Sequence, residues 1–164
     1  KTLPWARDTG FMSRPLEPGS MFDTIVIATD GSESVRRAVS VALDLAERFD
    51  ATVHALYVVD EGEVEAAPAP VRDDLRTALE DRGDEATRRV EDRGDGDIVT
   101  AARVGRPVSE INEYARDVDA DVVALGTRGR HGENRFLLGS VAETVVRTCP
   151  VPVLTVRQLS RAEA

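Results

Sequence analysis

Five short apolar runs punctuate the chain: Phe22 to Ala28, Ala51 to Val59, Ile98 to Val104, Asp121 to Gly126 and Val151 to Val156. Each is rich in β-branched residues and nearly continuous. Such runs predict strands covered on both faces. The segments between them carry a helical period. Val35, Ala38, Val39, Ala42, Leu45, Ala46 and Phe49 repeat at i, i+3, i+4, i+7, and Val71, Leu75, Leu79, Ala86 and Val90 do so more weakly. Val108, Ile111, Ala115 and Val118 form a third stripe behind Pro107, a residue suited to a first helical turn. Val141, Ala142, Val145, Val146 and Cys149 form a fourth.

Strand and helix therefore alternate as β-α-β-α-β-α-β-α-β. That order implies an α/β fold, a parallel sheet with helices on both faces. Such sheets bind ligands at the carboxyl ends of their strands, where the strand order reverses. Two stretches stand apart. Residues 1–20 lack any period and hold the only tryptophan, Trp5, and the only lysine, Lys1. They read as a tag, linker or upstream extension, with an ordered arm as the alternative. Residues 60–70, "DEGEVEAAPAP", are acidic and Pro/Ala-rich, and are expected to be the flexible connection and least ordered part of the core.

Residues 126–140, "GTRGRHGENRFLLGS", hold four glycines in fifteen positions, three of them spaced G-x2-G-x9-G-S. The stretch leaves the fourth strand and enters the fourth helix. Helix N-termini carry unpaired N–H groups and partial positive charge, and glycine lets the backbone approach an oxygen closely. Ser140 can cap the helix and also donate its hydroxyl. Arg128, Arg130 and Arg135 face only Glu133 here, in a chain that is otherwise acidic. The plain alternative is a flexible loop with a serine N-cap. The stretch is not a Walker A loop, which needs a lysine. Asp30, at the carboxyl end of strand one in "IVIATDGSES", can accept hydrogen bonds from an amino group or ribose hydroxyl. It equally suits an Asp-Gly turn.

Four stretches together resemble the universal stress protein family: "TIVIATDGSESVRRAV", "VHALYVVD", "VGRP" at 104–107, and the G-x2-G-x9-G-S spacing. The likeness runs from Met21 to about Arg157, and the glycine motif resembles that of the members that bind ATP. The resemblance implies a flavodoxin-like (Rossmann-like) three-layer sandwich with sheet order 3-2-1-4-5. It implies that Asp30 and the backbone of Val53 meet adenine, and that Ala28, Thr29 and Gly126 lie near the ribose. It implies that the amides of Gly129, Gly139, Ser140 and Val141, with the Ser140 hydroxyl, hold the phosphates beside a divalent metal, Mg2+ or Mn2+. A domain over 21–157 with a tail at 158–164 follows. Many family members form homodimers by pairing the last strand, here 151–157.

Charge and composition narrow the function further. From Met21 onward, 18 arginines and no lysine face 28 Asp and Glu residues. This argues against non-specific binding to nucleic acid or an acidic membrane, both of which call for a basic face. The excess suits solubility, or a salty cytoplasm in which a dense carboxylate surface stays hydrated. Cys149 has no disulfide partner and reads as a buried small hydrophobe, consistent with a cytoplasmic protein. His54, inside strand two, and His131, in the glycine loop, lack an evident Ser or Cys partner, which disfavours a catalytic triad. Two histidines and one cysteine make a poor zinc set. Three readings remain: a nucleotide-binding sensor acting on an unknown protein partner, a slow ATP hydrolase with Glu133 as the acidic candidate, and a structural dimer.

Overall fold

The structure, a computed structural model, describes residues 21–128 and 138–159. Five parallel strands, β1 (Thr24–Ala28), β2 (Thr52–Asp60), β3 (Ile98–Gly105), β4 (Val122–Gly126) and β5 (Val153–Val156), form one sheet of order β3-β2-β1-β4-β5. This is the expected order. The helices are α1 (Arg36–Phe49), α2 (Glu61–Ala66), α3 (Arg72–Glu91), α4 (Pro107–Asp117) and α5 (Ser140–Thr148).

Strand side chains alternate between faces, so the sheet separates two cores. Ile25, Ile27, Val53, Ala55 and Ala124 pack under α1 and α3 with Ala38, Val39, Ala42 and Val90. Val26, Leu56, Val123 and Leu125 pack under α4 and α5 with Ile111, Tyr114, Ala115, Ala142 and Val145. The three layers are therefore helices, sheet, helices. At the amino ends, the Asp121 carboxylate accepts from the amides of Asp23 (2.8 Å) and Thr24 (2.9 Å), holding the starts of β1 and β4 together.

Several details correct the sequence reading. Full cover on both faces holds for β1 and β4 but not at the edges: in β3, Val99 and Val104 are 44% and 46% exposed. In α5 the buried positions are Ala142 and Val145, whereas Val141 and Val146 face out. Cys149 lies just beyond α5, half-buried against the α4/α5 core. Segment 60–70 is also more structured than its composition suggests. Asp60 caps α2 by accepting from the Gly62 amide at 3.0 Å, and Val64 is buried against Tyr57, Val59 and Leu79. Arg72 then ties the next turn back by donating to the Ala67 and Glu65 carbonyls. A single large apolar residue, Val64, in an acidic stretch left no period to read.

Midway along α3 sits Gly83, where a Cβ would come within 2.6 Å of Cδ1 in the buried Tyr57 ring. The glycine admits the ring, and Thr87 bonds back to the Gly83 carbonyl at 3.0 Å.

Candidate functional site

From β1 the chain passes to β2 and β3 on one side, then crosses to β4 and β5 on the other. The order thus reverses between β1 and β4, and a crevice at their carboxyl ends is the place this fold offers a ligand. Register levels the two strands there: Ala28 pairs with Leu125 and also with Leu56 of β2.

The β1 side is a tight turn. Thr29, only 7% exposed, donates its amide to the Leu56 carbonyl at 2.9 Å, and its hydroxyl accepts from the Gly31 amide at 3.2 Å. Gly31 has a φ of +74°, a left-handed backbone suited to glycine. Asp30 Oδ1 accepts from the Ser32 amide (3.0 Å) and hydroxyl (2.6 Å). Asp30 is therefore a turn residue, and this arrangement commits one of its two carboxylate oxygens.

The β4 side is built from the two ends of the glycine stretch. Gly126 closes β4 against the β1 turn. After it, the Thr127 amide donates to the Val156 carbonyl (3.1 Å), and the Thr127 carbonyl accepts from the Gly139 amide (2.7 Å). That last bond brings Gly139 and Ser140 back beside Gly126, so the base of the loop is closed. The helix N-cap is Gly139, with Ser140 as the first helical residue, which corrects the expected serine cap. A glycine cap has no side-chain oxygen to satisfy the first-turn amides. Among the described residues nothing accepts from the amides of Ser140 and Val141, at the positive end of the helix, whereas the Gly139 amide, expected on the phosphates, is taken by the Thr127 carbonyl.

Ala28, Thr29, Asp30, Gly126, Gly139, Ser140 and Val141 all lie at this end of the sheet. Gly129, Arg130, His131, Glu133 and Arg135 fall outside the described residues. Val53 does not join the group. It sits at the start of β2, paired with Ile25 and Ile98 and 2% exposed, at the opposite end of the sheet. β1 ends level with Leu56, whose carbonyl accepts from Thr29. Strand alternation turns the backbone groups of Tyr57 to β3 and those of Val58 back to the β1 side, so a β2 backbone contact to a ligand there would come from Val58. Arg128 also departs from the reading of the loop arginines as anion attractors. Its Nη2 donates to the Gln158 carbonyl at 3.1 Å, and its Nε is buried.

His54 faces α4, where its Nδ1 lies 2.9 Å from the Tyr114 hydroxyl. Burial lowers the imidazole pKa. Burial also raises that of the Tyr114 phenol, with Arg103 opposing and Asp117 adding. Which atom donates depends on the imidazole tautomer, and either way the pair is a contact between β2 and α4 with no Ser or Cys in it. Among the described residues no group of three or more His, Cys, Asp or Glu side chains could hold a metal ion, and no helix is long and apolar enough to cross a membrane.

The model of the universal stress protein family matches residues 21–157. The chain belongs to the universal stress protein family. It is 38% identical over 143 residues to the universal stress protein MJ0531 of Methanocaldococcus jannaschii, covering 85% of this chain and 84% of that one. Among solved structures it is similar to the universal stress protein UspA from Lactobacillus plantarum, with 26% identity, a TM-score of 0.68, and coverage of 82% and 97%. It is likewise similar to a universal stress protein in complex with cAMP, with 30% identity, a TM-score of 0.61, and coverage of 83% and 97%. Nucleotide binding thus occurs in a related structure, and the flavodoxin-like fold is common to the family.

Proposed function

We propose that this chain binds ATP between the carboxyl ends of β1 and β4 and acts as a nucleotide-dependent regulatory module of the stress response. The observation that carries the reading is the glycine-capped start of α5, tied through Thr127 to the end of β4. The first-turn amides of Ser140 and Val141, beside Gly126, are the proposed cradle for phosphate oxygens, to which Gly129 is proposed to add its own amide. In this reading Asp30 and the backbone of Val58 meet the base, with Ala28 and Thr29 near the ribose. The cAMP complex of a relative supports a nucleotide of the adenine class.

Mg2+ or Mn2+ belongs to the proposal. Mg2+ typically keeps several waters and binds through substrate phosphates with one or two protein oxygens. The lack of a carboxylate cluster among the described residues is therefore compatible with it, and the Ser140 hydroxyl is the candidate ligand. A homodimer through β5, a protein partner that reads the nucleotide state, and a cytoplasmic location complete the reading.

The test is to incubate purified protein with ATP and Mg2+ and measure bound nucleotide and released phosphate. Retained ATP without turnover supports the regulatory module. Steady phosphate release makes it a slow hydrolase instead, and absence of binding leaves a structural dimer.

A further inference from the structure

Resting on that nucleotide reading, we propose that the segment after β5, residues 157–158, is a clamp that sets the base of the glycine loop, with Arg37 and Arg128 as its positioning residues. The contacts make a closed circuit. Gly126 rests on Ser34 and Val35 in the turn entering α1. Two residues further on, Arg37 holds the C-terminal segment: its Nη1 donates to the Arg157 carbonyl at 2.8 Å, and its amide donates to Gln158 Oε1 at 3.2 Å. Gln158 in turn accepts on its carbonyl from Arg128 Nη2, and Val156 accepts from the Thr127 amide. Thr127 closes the circuit by accepting from Gly139, the cap of α5.

The circuit matters because the phosphate cradle is assembled from two segments distant in sequence, the end of β4 and the start of α5. A binding site holds its groups to useful tolerance only when neighbouring contacts lock them. Arg128 has been drawn away from solvent, with Nε buried and Nη2 on a main-chain carbonyl. Hydrogen bonds to a charged donor are stronger than neutral ones. The guanidinium is thereby committed to the C-terminal segment. Two of the acceptors, the carbonyls of Arg157 and Gln158, are main-chain, so the clamp depends chiefly on the chain being present and positioned there.

Arg37→Ala is the deciding variant, because its contacts lie with Arg157 and Gln158. Arg37→Ala and Arg128→Ala should each weaken Mg·ATP binding by about tenfold in calorimetry, as expected for one lost charge-assisted hydrogen bond. Both should also speed amide hydrogen exchange at Thr127 and Gly139 in nucleotide-free protein. Arg36→Ala is the control, since Arg36 is exposed and paired with Glu33, and both readouts should stay at wild-type values. If Arg37→Ala does not fold, a chain ending at Val156 removes the same acceptors. Wild-type affinity and exchange in Arg37→Ala would overturn the clamp. A loss confined to Arg128→Ala would also overturn it, by assigning Arg128 to the phosphates directly. Should the wild type bind no nucleotide, the proposed function falls, while exchange at Thr127 and Gly139 still decides the clamp.

Discussion

A Cβ on Gly126 would stand 3.1 Å from the Ser34 carbonyl oxygen and 3.3 Å from the Val35 Cα. The exit of β4 is thus in backbone-to-backbone contact with the turn that leaves β1. Neither neighbour can swing aside as a side chain would. Gly126→Val should push the two walls of the crevice apart and lower ATP affinity by at least about tenfold, roughly 1.4 kcal/mol. Gly129→Val is expected to act in the same direction by occupying phosphate space. Calorimetry on the folded variants checks both, and unchanged affinity would remove the glycines from the site.

Asp30 allows a cleaner separation of roles. Its Oδ1 is taken by Ser32, which leaves Oδ2 for a ligand. Asp30→Asn keeps one oxygen for the turn but has none left to accept from a base. The expected outcome is a near-wild-type melting temperature with weakened ATP binding, and Asp30→Ala should weaken ATP more than any single change on α3. An asparagine variant that binds ATP normally would reduce Asp30 to a turn residue.

The sheet order came from the family resemblance, whereas the strands and the four main helices were legible because their periods are set by burial, and burial is written into side-chain type. The same holds for the glycine stretch, whose two ends the fold does bring together. What escaped is set by register and by backbone hydrogen bonds, which leave no residue-type signal. Nothing in "ATVHALYVVD" says which residue stands level with Ala28, so Val53 was expected at the wrong end of β2. Ser140 looked like the cap, but the chain places that role on Gly139. Arg128 counted as loop charge, although its partner is a main-chain carbonyl thirty residues away. Signals for α2 were limited to Asp60 as a capping residue and the lone Val64.

Stability should depend on pH through His54. Burial places its folded pKa below the ordinary 6.5, so the unfolded chain takes up a proton first as pH falls. Stability is then full above that ordinary value, declines as pH drops toward the folded pKa, and levels below it. Protonation would also put a second positive charge near Arg103, whose guanidinium lies over the Tyr114 ring. The loss in melting temperature between about pH 7 and pH 5 should be smaller in His54→Gln than in wild type. Equal losses would mean that the surface carboxylates alone set the pH dependence.

Edge strand β5 is expected to pair across a two-fold axis. The Pro152 and Val156 carbonyls point toward β4. Strand alternation therefore turns the N–H and C=O groups of Val153 and Thr155 outward, where they are free to pair. Val153→Pro with Thr155→Pro would delete both outward donors and spare the contacts to β4. Light scattering after gel filtration should give a dimer for wild type at tens of micromolar and a folded monomer for the double variant. A monomeric wild type would end the idea.

Melting temperature should climb with KCl. The chain carries a net charge of −9, and screening weakens repulsion among like surface charges. A melting temperature that stays flat up to molar salt would leave the carboxylate excess as a solubility feature only.

The fit of Tyr57 against Gly83 also constrains how this lineage can drift. Alanine in the middle of α3 would gain about 1 kcal/mol of helix propensity, but a Cβ 2.6 Å from the ring would cost about 1–3 kcal/mol in overpacking. The clash wins, so the glycine is held in place by its neighbour and not by any conformational need of its own. The two positions are free to change only as a pair: a chain that first shrinks residue 57 can afterwards accept alanine at 83, whereas the opposite order passes through a damaged fold.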